Sequence, residues 1–507
     1  MALEQDRANR VPISVAVILA TLMNTIDGTI ANVALPHIQG SVSAAQDQIT
    51  WVLTSYIIAT AIMTPLSGWL SMRIGRKRMF QFSIFAFTIA SMLCGIATTL
   101  PEIVLFRFLQ GLAGASMMPL SQGVILDLYT PRELPTAMSL WSAAIILGPI
   151  IGPTLGGWLT DTLSWRWVFF INLPVGILAF LGVTTFMSTD RGGRERPFDA
   201  LGFTALVLFI GGLQLMFDRG PSQDWLSSKE IWIEGGLAAI GLYIFVVQTA
   251  TAEHPFFDRA LLHDGNFVSS TFFSFFVGML LFSSSALLPL MMQNYMGYSV
   301  LETGFANTPR GIGSFIAFLF VGQLVLRFDA RLVLAAGLAI SAFGLWEMTH
   351  FDLAMTSAPI MVTGFIQGVG IGLIFMPLNT MAYSRMSPDM RAEGTTVNTL
   401  VRSLGSALGI SIVQASWTVN AAVAHSDLTG HVQLADPVFR AGMPQAFDPS
   451  SSGGAVALNG EITRQSGMVA YVDVFLLMFM LTIAIAPLIL IMRAPQPVGG
   501  PVEVPAE

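Results

Sequence analysis

Apolar stretches of about 20 residues recur from one end of this 507-residue chain to the other. Each stretch has the length that an α-helix needs to cross a hydrocarbon core of about 30 Å. Only 11% of the residues are charged, whereas a soluble domain carries about 25%. Helices satisfy their own backbone groups in lipid, so the chain is predicted to be an all-α integral membrane protein.

Fourteen transmembrane helices are predicted, after a short polar lead-in over residues 1–13. The spans lie near 14–35, 48–72, 79–99, 103–128, 136–161, 165–188, 199–217, 230–250, 267–292, 302–326, 331–349, 357–383, 394–422 and 469–492. With the N-terminus inside, the cytoplasmic segments hold 16 Lys and Arg, the external segments hold 5, and three lie within spans. This asymmetry favours cytoplasmic positions for both termini. The longest loop, about 423–468, is then external.

Two pairs of similar segments indicate a duplicated chain. GWLSMRIGRKR from Gly68 resembles GQLVLRFDAR from Gly322, and FLQGLAGASMMPL from Phe108 resembles FIQGVGIGLIFMPL from Phe365. Matching signals in two halves are typical of transporters built from repeats. The offset is eight spans, so we predict a six-helix bundle over 1–188, two inserted helices over 189–265, a second six-helix bundle over 266–493 and a cytoplasmic tail over 494–507.

The first span contains one carboxylate, Asp27, near its middle. Charges inside a span are costly and are therefore functional candidates, and burial favours the neutral form of a carboxyl group. Arg107, in the fourth span, could reach a similar depth, and a change in their separation would switch the protonation of Asp27. Gln110 could join the same network. The alternative is that both charges only hold the packing of the helices.

The fifth span is dense in glycine and proline. Glycines spaced four residues apart make a groove for a neighbouring helix, and prolines inside a helix bend it. The pattern is read as a seal or pivot between the two halves, with ordinary tight packing as the alternative. Its residues are Gly148, Pro149, Gly152, Pro153, Gly156 and Gly157.

The basic loop after the second span is interpreted as a topology anchor, or as a tight turn that latches the cytoplasmic side. Its candidate residues are Gly68, Arg73, Gly75, Arg76 and Lys77. Two further charges lie within spans, Arg310 and Arg402. Each could bind substrate, pair with a carboxylate or cap a broken helix, and the sequence does not rank these roles.

Several function classes lack the residues that they need. There is one cysteine, Cys94, and the six histidines form no HExxH cluster, so neither a disulfide framework nor a metal site is expected. No GxxxxGK[ST] phosphate loop is present, so transport driven by ATP through this chain alone is not expected. We expect no catalytic residues, no cofactor and no nucleic-acid partner.

Several of these segments resemble motifs of the major facilitator superfamily, and within it the 14-span drug:proton antiporter group that includes EmrB-type pumps. The first-helix segment DGTIANVALP, the loop GWLSMRIGRKR, the fourth-helix RFLQG and the fifth-helix LGPIIGPTLGG resemble the motifs of that group. FFINLPVG, from Phe169, and LQLMFDRGPSQDW, from Leu213, resemble EmrB-type sequences more narrowly. The loop motif usually carries Asp where this chain has Met72, so a latch through that carboxylate is not expected.

The resemblance implies a transporter that exchanges protons for hydrophobic or amphipathic compounds by rocking two six-helix bundles in a bacterial inner membrane. It implies that Asp27 carries the proton, that Arg107 tunes it, and that a periplasmic adaptor and an outer-membrane channel are partners. A permease of the same fold or an exporter of one endogenous metabolite is the first alternative. A non-transporting membrane sensor or assembly scaffold is the second, and intact Asp27 and Arg107 count against it.

Overall fold

The computed structural model of the protein describes residues 6, 8–45, 48, 49, 51–130, 132–188, 197–220, 223, 225–383, 386, 390–432, 444, 447, 448, 451–490 and 492. Within this part of the chain, fourteen helices are long and apolar enough to cross a membrane, and no strand is found there. The predicted fold class is therefore confirmed. The predicted cytoplasmic tail, 494–507, lies outside the described residues.

The fourteen helices are numbered in chain order. They are α1 (Arg10–Val42), α2 (Trp51–Ile74), α3 (Arg76–Ile96), α4 (Leu100–Leu128), α5 (Leu134–Thr162), α6 (Trp167–Phe186), α7 (Ala200–Arg219), α8 (Lys229–Thr251), α9 (Gly265–Tyr295), α10 (Val300–Arg327), α11 (Ala330–Met348), α12 (Ser357–Tyr383), α13 (Arg391–Gly430) and α14 (Ser452–Ile485). A turn interrupts α4 after Gly114, and another interrupts α6 after Phe170.

Helix packing repeats with an offset of eight. In the N-terminal half α1 packs on α5 and α2 on α4, and in the C-terminal half α9 packs on α13 and α10 on α12. The halves meet along two seams, α5 against α10 and α2 against α13. The inserted helices α7 and α8 pack on each other, and α7 lies against α2 and α13. Packing thus follows the duplication that the sequence predicts.

The two ends of the bundle differ in how the halves share their cores. Because the described part of the chain has an even number of such helices, α1 begins and α14 ends at the same end of the bundle, called here the termini end, and the other is the distal end. At the termini end one apolar core includes Trp141 of α5 together with Phe318 of α10 and Phe375 of α12. At the distal end each half has a separate core. The halves are therefore closed against each other at the termini end.

The seam between α5 and α10 depends on glycines of α10. A side chain at Gly322 would collide with Ser139 and with the backbone of Thr136, and one at Gly304 would collide with Thr154. Absence of a side chain lets two helix backbones approach closely. Gly322 lies near the termini end of α10 and Gly304 near its distal end. The same seam therefore runs from the termini end to the distal end.

The predicted loop over 423–468 is mostly helical where it is described. Helix α13 continues to Gly430, and α14 begins already at Ser452. The 40 residues of α13 are about 60 Å long, twice the hydrocarbon thickness. Trp417 of α13 donates a hydrogen bond to the carbonyl of Gly467, 3.2 Å away. The segment predicted as an external loop is therefore helical at both of its ends, which hydropathy could not indicate because the composition of these helix ends is polar.

Candidate functional site

Asp27 lies at the centre of a buried hydrogen-bond network in the N-terminal half. Its carboxylate accepts hydrogen bonds from Arg107 Nη1 at 2.6 Å, Gln110 Nε2 at 2.8 Å and Asn172 Nδ2 at 2.7 Å. Asp27 and Gln110 are fully buried, and Arg107 is 1% exposed. The structure thus brings together all three residues that the sequence predicts for this site.

Neighbouring helices hold the Arg107 guanidinium in place. Its Nη1 also donates to Gln110 Oε1 at 2.9 Å, and its Nε donates to the Val52 carbonyl of α2 at 3.3 Å. The ring of Tyr56 lies under it, with the centroid 4.2 Å from Cζ. A planar guanidinium combines directed hydrogen bonds with stacking on an aromatic face. Four helices therefore fix the geometry around Asp27.

Asn172 is the member of the network that sequence reasoning missed. It follows the turn that interrupts α6, and its Nδ2 also approaches Ser91 Oγ at 2.9 Å. Ser91 Oγ in turn donates to the Phe169 carbonyl at 2.9 Å. A lone amide in the apolar segment FFINLPVG was the available signal, because a buried polar side chain needs a partner.

The arrangement encloses the Asp27 carboxyl group away from water. Three donors are directed at its two oxygens. A proton added to Asp27 would turn one acceptor oxygen into a donor and remove the charge that attracts Arg107. Protonation of this one group would therefore disrupt contacts among α1, α4 and α6.

The C-terminal half contains a related arrangement without a carboxylate. Arg310 of α10 donates to Ser284 Oγ at 2.7 Å and to the Leu281 carbonyl at 3.2 Å. Gln367 occupies the position in FIQG that Gln110 has in FLQG, and its Oε1 has no hydrogen-bond partner among the described residues. A serine hydroxyl does not titrate in the physiological range, so Ser284 is no counterpart of Asp27 as a proton site.

The fifth-helix glycines contact the helix that carries Asp27. Side chains at Gly148, Gly152 and Gly156 would collide with Thr25, Thr29 and Ile30 of α1, respectively. These three glycines therefore pack within the N-terminal half, and not between the halves as the sequence interpretation had it. The seam with α10 lies on another face of α5, which contains Ile150 and Thr154. A spacing of four residues predicts a groove but does not identify the helix that fills it.

The remaining fifth-helix residues have different positions. Gly157 has only the edge of Val33 near the position of a side chain, at 3.9 Å. Pro149 and Pro153 lie inside the continuous helix α5. The motif thus combines one face of close contact with two residues that donate no backbone hydrogen bond.

The basic loop contributes to a charge cluster at the termini end. Gly75 has φ of +90° between α2 and α3, a conformation that favours glycine. Arg76 forms an ion pair with Asp127 at the end of α4, and Arg391 of the C-terminal half reaches the same carboxylate at 3.0 Å. The two halves are thus linked by Asp127, although Met72 replaces the usual acidic residue.

The other loop residues lie around this cluster. Lys77 donates to the Thr184 carbonyl at 2.9 Å and to the Met187 carbonyl at the end of α6. The exposed Arg73 stacks on Trp69, with the guanidinium carbon 5.1 Å from the ring centroid. Gly68 is buried on α2. The loop is therefore a tight turn whose basic side chains contact neighbouring helices.

Similarity to known proteins extends over the whole chain. The profile of the Major Facilitator Superfamily matches residues 17–410. The multidrug export protein EmrB of Escherichia coli (strain K12) is 33% identical over 501 residues, 98% of this chain and 98% of that protein. The fatty acid resistance protein FarB of Neisseria gonorrhoeae is 33% identical over 485 residues, 95% of this chain and 96% of that protein. The crystal structure of the human organic anion transporter MFSD10 shares the fold, with a TM-score of 0.57 and 14% identity over 93% of this chain and 99% of that chain.

Proposed function

Because the chain belongs to the major facilitator superfamily of membrane transporters, we propose that it exports hydrophobic or amphipathic drug-like compounds in exchange for protons. Relatives named for multidrug export and fatty acid resistance match nearly its full length. The observation that carries the proposal is the fully buried Asp27 with its three hydrogen-bond donors. The protein is a multi-pass membrane protein of the inner membrane, and its energy source would be the proton gradient without a cofactor.

Protonation of Asp27 would be coupled to movement of the halves. In the described conformation the termini end is closed by a shared core and by Asp127 between Arg76 and Arg391. At the distal end the two halves have separate cores. The halves can therefore move apart at that end. A proton arriving from that side would neutralise Asp27, loosen its contact with Arg107 and favour the alternative state, in which the termini end opens. A ligand shifts such an equilibrium only through differential affinity for the two states.

Proton release on substrate binding tests this function. Purified wild-type protein in weakly buffered detergent is expected to release protons when a substrate binds, tested separately with ethidium and with pH-matched sodium decanoate. Asp27→Asn should bind without release, because an amide side chain holds no exchangeable carboxyl proton. Asp161→Asn, which changes an exposed carboxylate of α5, should behave like the wild type. Binding to the wild type without release, or equal release from Asp27→Asn, would contradict the proposed coupling.

We further propose that the distal end faces the periplasm and contacts an adaptor protein leading to an outer-membrane channel. The distribution of Lys and Arg supports this orientation, and the projecting helices α13 and α14 supply the surface. In a Cys94→Ser background, a membrane-impermeant maleimide added to intact cells should label Val456→Cys, whose position is 73% exposed. It should not label Arg327→Cys at the termini end. Labelling in the reverse order would overturn the orientation, and labelling of Val456→Cys that the cognate adaptor does not slow would count against the contact.

A further inference from the structure

Arg402 of α13 is buried at the meeting point of the two halves. The residue is only 5% exposed to solvent. Its Nη2 lies 3.7 Å from the sulfur of Met118 on α4, in the opposite half. Its guanidinium carbon lies 4.9 Å from the centroid of the Phe375 ring on α12. The charge is thus surrounded by apolar and weakly polar groups from both halves.

No oxygen acceptor within the described residues receives a hydrogen bond from this guanidinium, and no carboxylate there forms an ion pair with it. A guanidinium carries five N–H donors. Arg107 in the other half has a carboxylate, an amide oxygen and a carbonyl, and Arg310 has a hydroxyl and a carbonyl. The buried carboxylate of Glu393 lies nine residues earlier on α13, about 13 Å along the helix. Arg402 is the least satisfied of these three buried arginines.

Unpaired polar atoms accompany Arg402. Asn398, one helical turn earlier on the same face, is fully buried, and neither side-chain polar atom has a hydrogen-bond partner within the described part of the chain. Tyr383 also lies near Arg402, and its hydroxyl interacts with the side chain of Gln122. Gln122 also donates across the halves to Asn379 at 3.2 Å. Buried polar groups are normally hydrogen-bonded, so this cluster is suited to a polar ligand.

The geometry points to a binding site for an anionic head group. A buried charge is tolerated when it is paired and hydrogen-bonded, and a carboxylate would match the guanidinium in charge and in planar geometry. Met118 and Phe375 offer apolar and polarisable contacts to the part of the ligand next to the charge. We propose that Arg402 binds the anionic group of an amphipathic substrate between the two halves, with Asn398, Tyr383 and Gln122 as polar neighbours. This inference rests on the proposed export function and specifies its substrate class.

Binding of an anion at Arg402 would also favour closure of the termini end. The surroundings of the guanidinium come from α4 of one half and from α12 and α13 of the other. Closing the halves therefore removes Arg402 from water, which is unfavourable for an unpaired cation. A bound anion compensates this cost in the closed arrangement. Substrate would thus stabilise the conformation that faces the distal end, from which it is released.

Three probes with the same tail and different head groups test the site. They are decanoate, decanol and decyltrimethylammonium, used as competitors against radiolabelled decanoate on immobilised, purified protein. The wild type is expected to prefer decanoate over both others. Arg402→Gln should weaken decanoate binding by about tenfold to a hundredfold, the range for losing hydrogen bonds to a charged group, and leave decanol binding nearly unchanged. Arg402→Lys, which retains the charge, should weaken decanoate binding less than Arg402→Gln does.

The ratio of decanoate to decanol affinity separates ligand binding from a packing role. Equal weakening of both probes in Arg402→Gln, or a wild-type preference for decyltrimethylammonium, would overturn the proposal. Arg327→Gln, which removes an exposed arginine at the end of α10, is the matched control and should resemble the wild type. Loss of the ratio without proton release from the wild type would retain the anion site and refute proton exchange. Proton release from the wild type with an unchanged ratio in Arg402→Gln would retain proton exchange and refute the anion site.

Discussion

Arg107→Met is expected to destabilise the protein by about 3–5 kcal/mol, the usual cost of removing one partner from a buried ion pair. The variant leaves Asp27 fully buried with only the two amide donors of Gln110 and Asn172. The double variant Asp27→Asn/Arg107→Met removes both charges together, so it should recover a large part of the lost stability. Thermal unfolding of the wild type, Asp27→Asn, Arg107→Met and the double variant in the same detergent measures this order.

The double-mutant cycle is informative because the two residues contact each other at 2.6 Å. Residues in one hydrogen-bond network show non-additive effects of about 0.5–3 kcal/mol. If the double variant lost as much stability as the two single variants combined, Asp27 and Arg107 would not act as a pair. Arg327→Met, at an exposed helix end, controls for the loss of an arginine as such. All three Asp27 and Arg107 variants should also lose proton-coupled export, whatever their stability.

Gly156→Ala is expected to reduce drug resistance in cells on the order of tenfold or more, whereas Gly157→Ala should be tolerated. A methyl group at Gly156 would lie 2.8 Å from Ile30 Cγ1 and 3.0 Å from the Ile30 carbonyl. Overpacking of this kind costs about 1–3 kcal/mol, and Ile30 lies three residues after Asp27 on α1. The strain would therefore displace the proton site. Resistance at equal expression in the membrane is the measurement.

Gly157, the next residue in α5, provides the matched control. At Gly157 the nearest atom to an added methyl group is Val33 Cγ1, at 3.9 Å, an ordinary contact distance. Both substitutions increase helix propensity equally, so helix propensity does not contribute to a difference in resistance between the two variants. Equal resistance from the two variants would mean that the contact between α5 and α1 does not matter for export. Gly148→Ala should behave like Gly156→Ala, since a methyl group there lies 2.6 Å from Thr25 Cβ.

Length and burial cost explain what could be predicted from the sequence. Fourteen spans follow from the thickness of the membrane, and Asp27, Arg107 and Gln110 could be singled out because polar groups within apolar spans need partners. Asn172 was missed because its amide carries no charge. It also follows a turn in α6 that is not visible in the hydropathy pattern. Asp127 was missed as well, because the end of a span is where an acidic residue is unremarkable. Its two arginine partners come from positions 51 residues before and 264 residues after it, and one sequence alone does not pair positions so far apart.

Helix α13 extends as one continuous element from Arg391 at the charge cluster to Gly430 at the distal end. A rigid rod of about 60 Å works as a lever, so movement at one end must appear at the other. A tilt of about 10° would displace its far tip by about 10 Å, given that length. Parting of the halves at Asp127 would therefore swing the tip of α13 and, with it, the paired tip of α14. A protein seated on these tips would sense mechanically, from outside the bilayer, which end of the transporter is open.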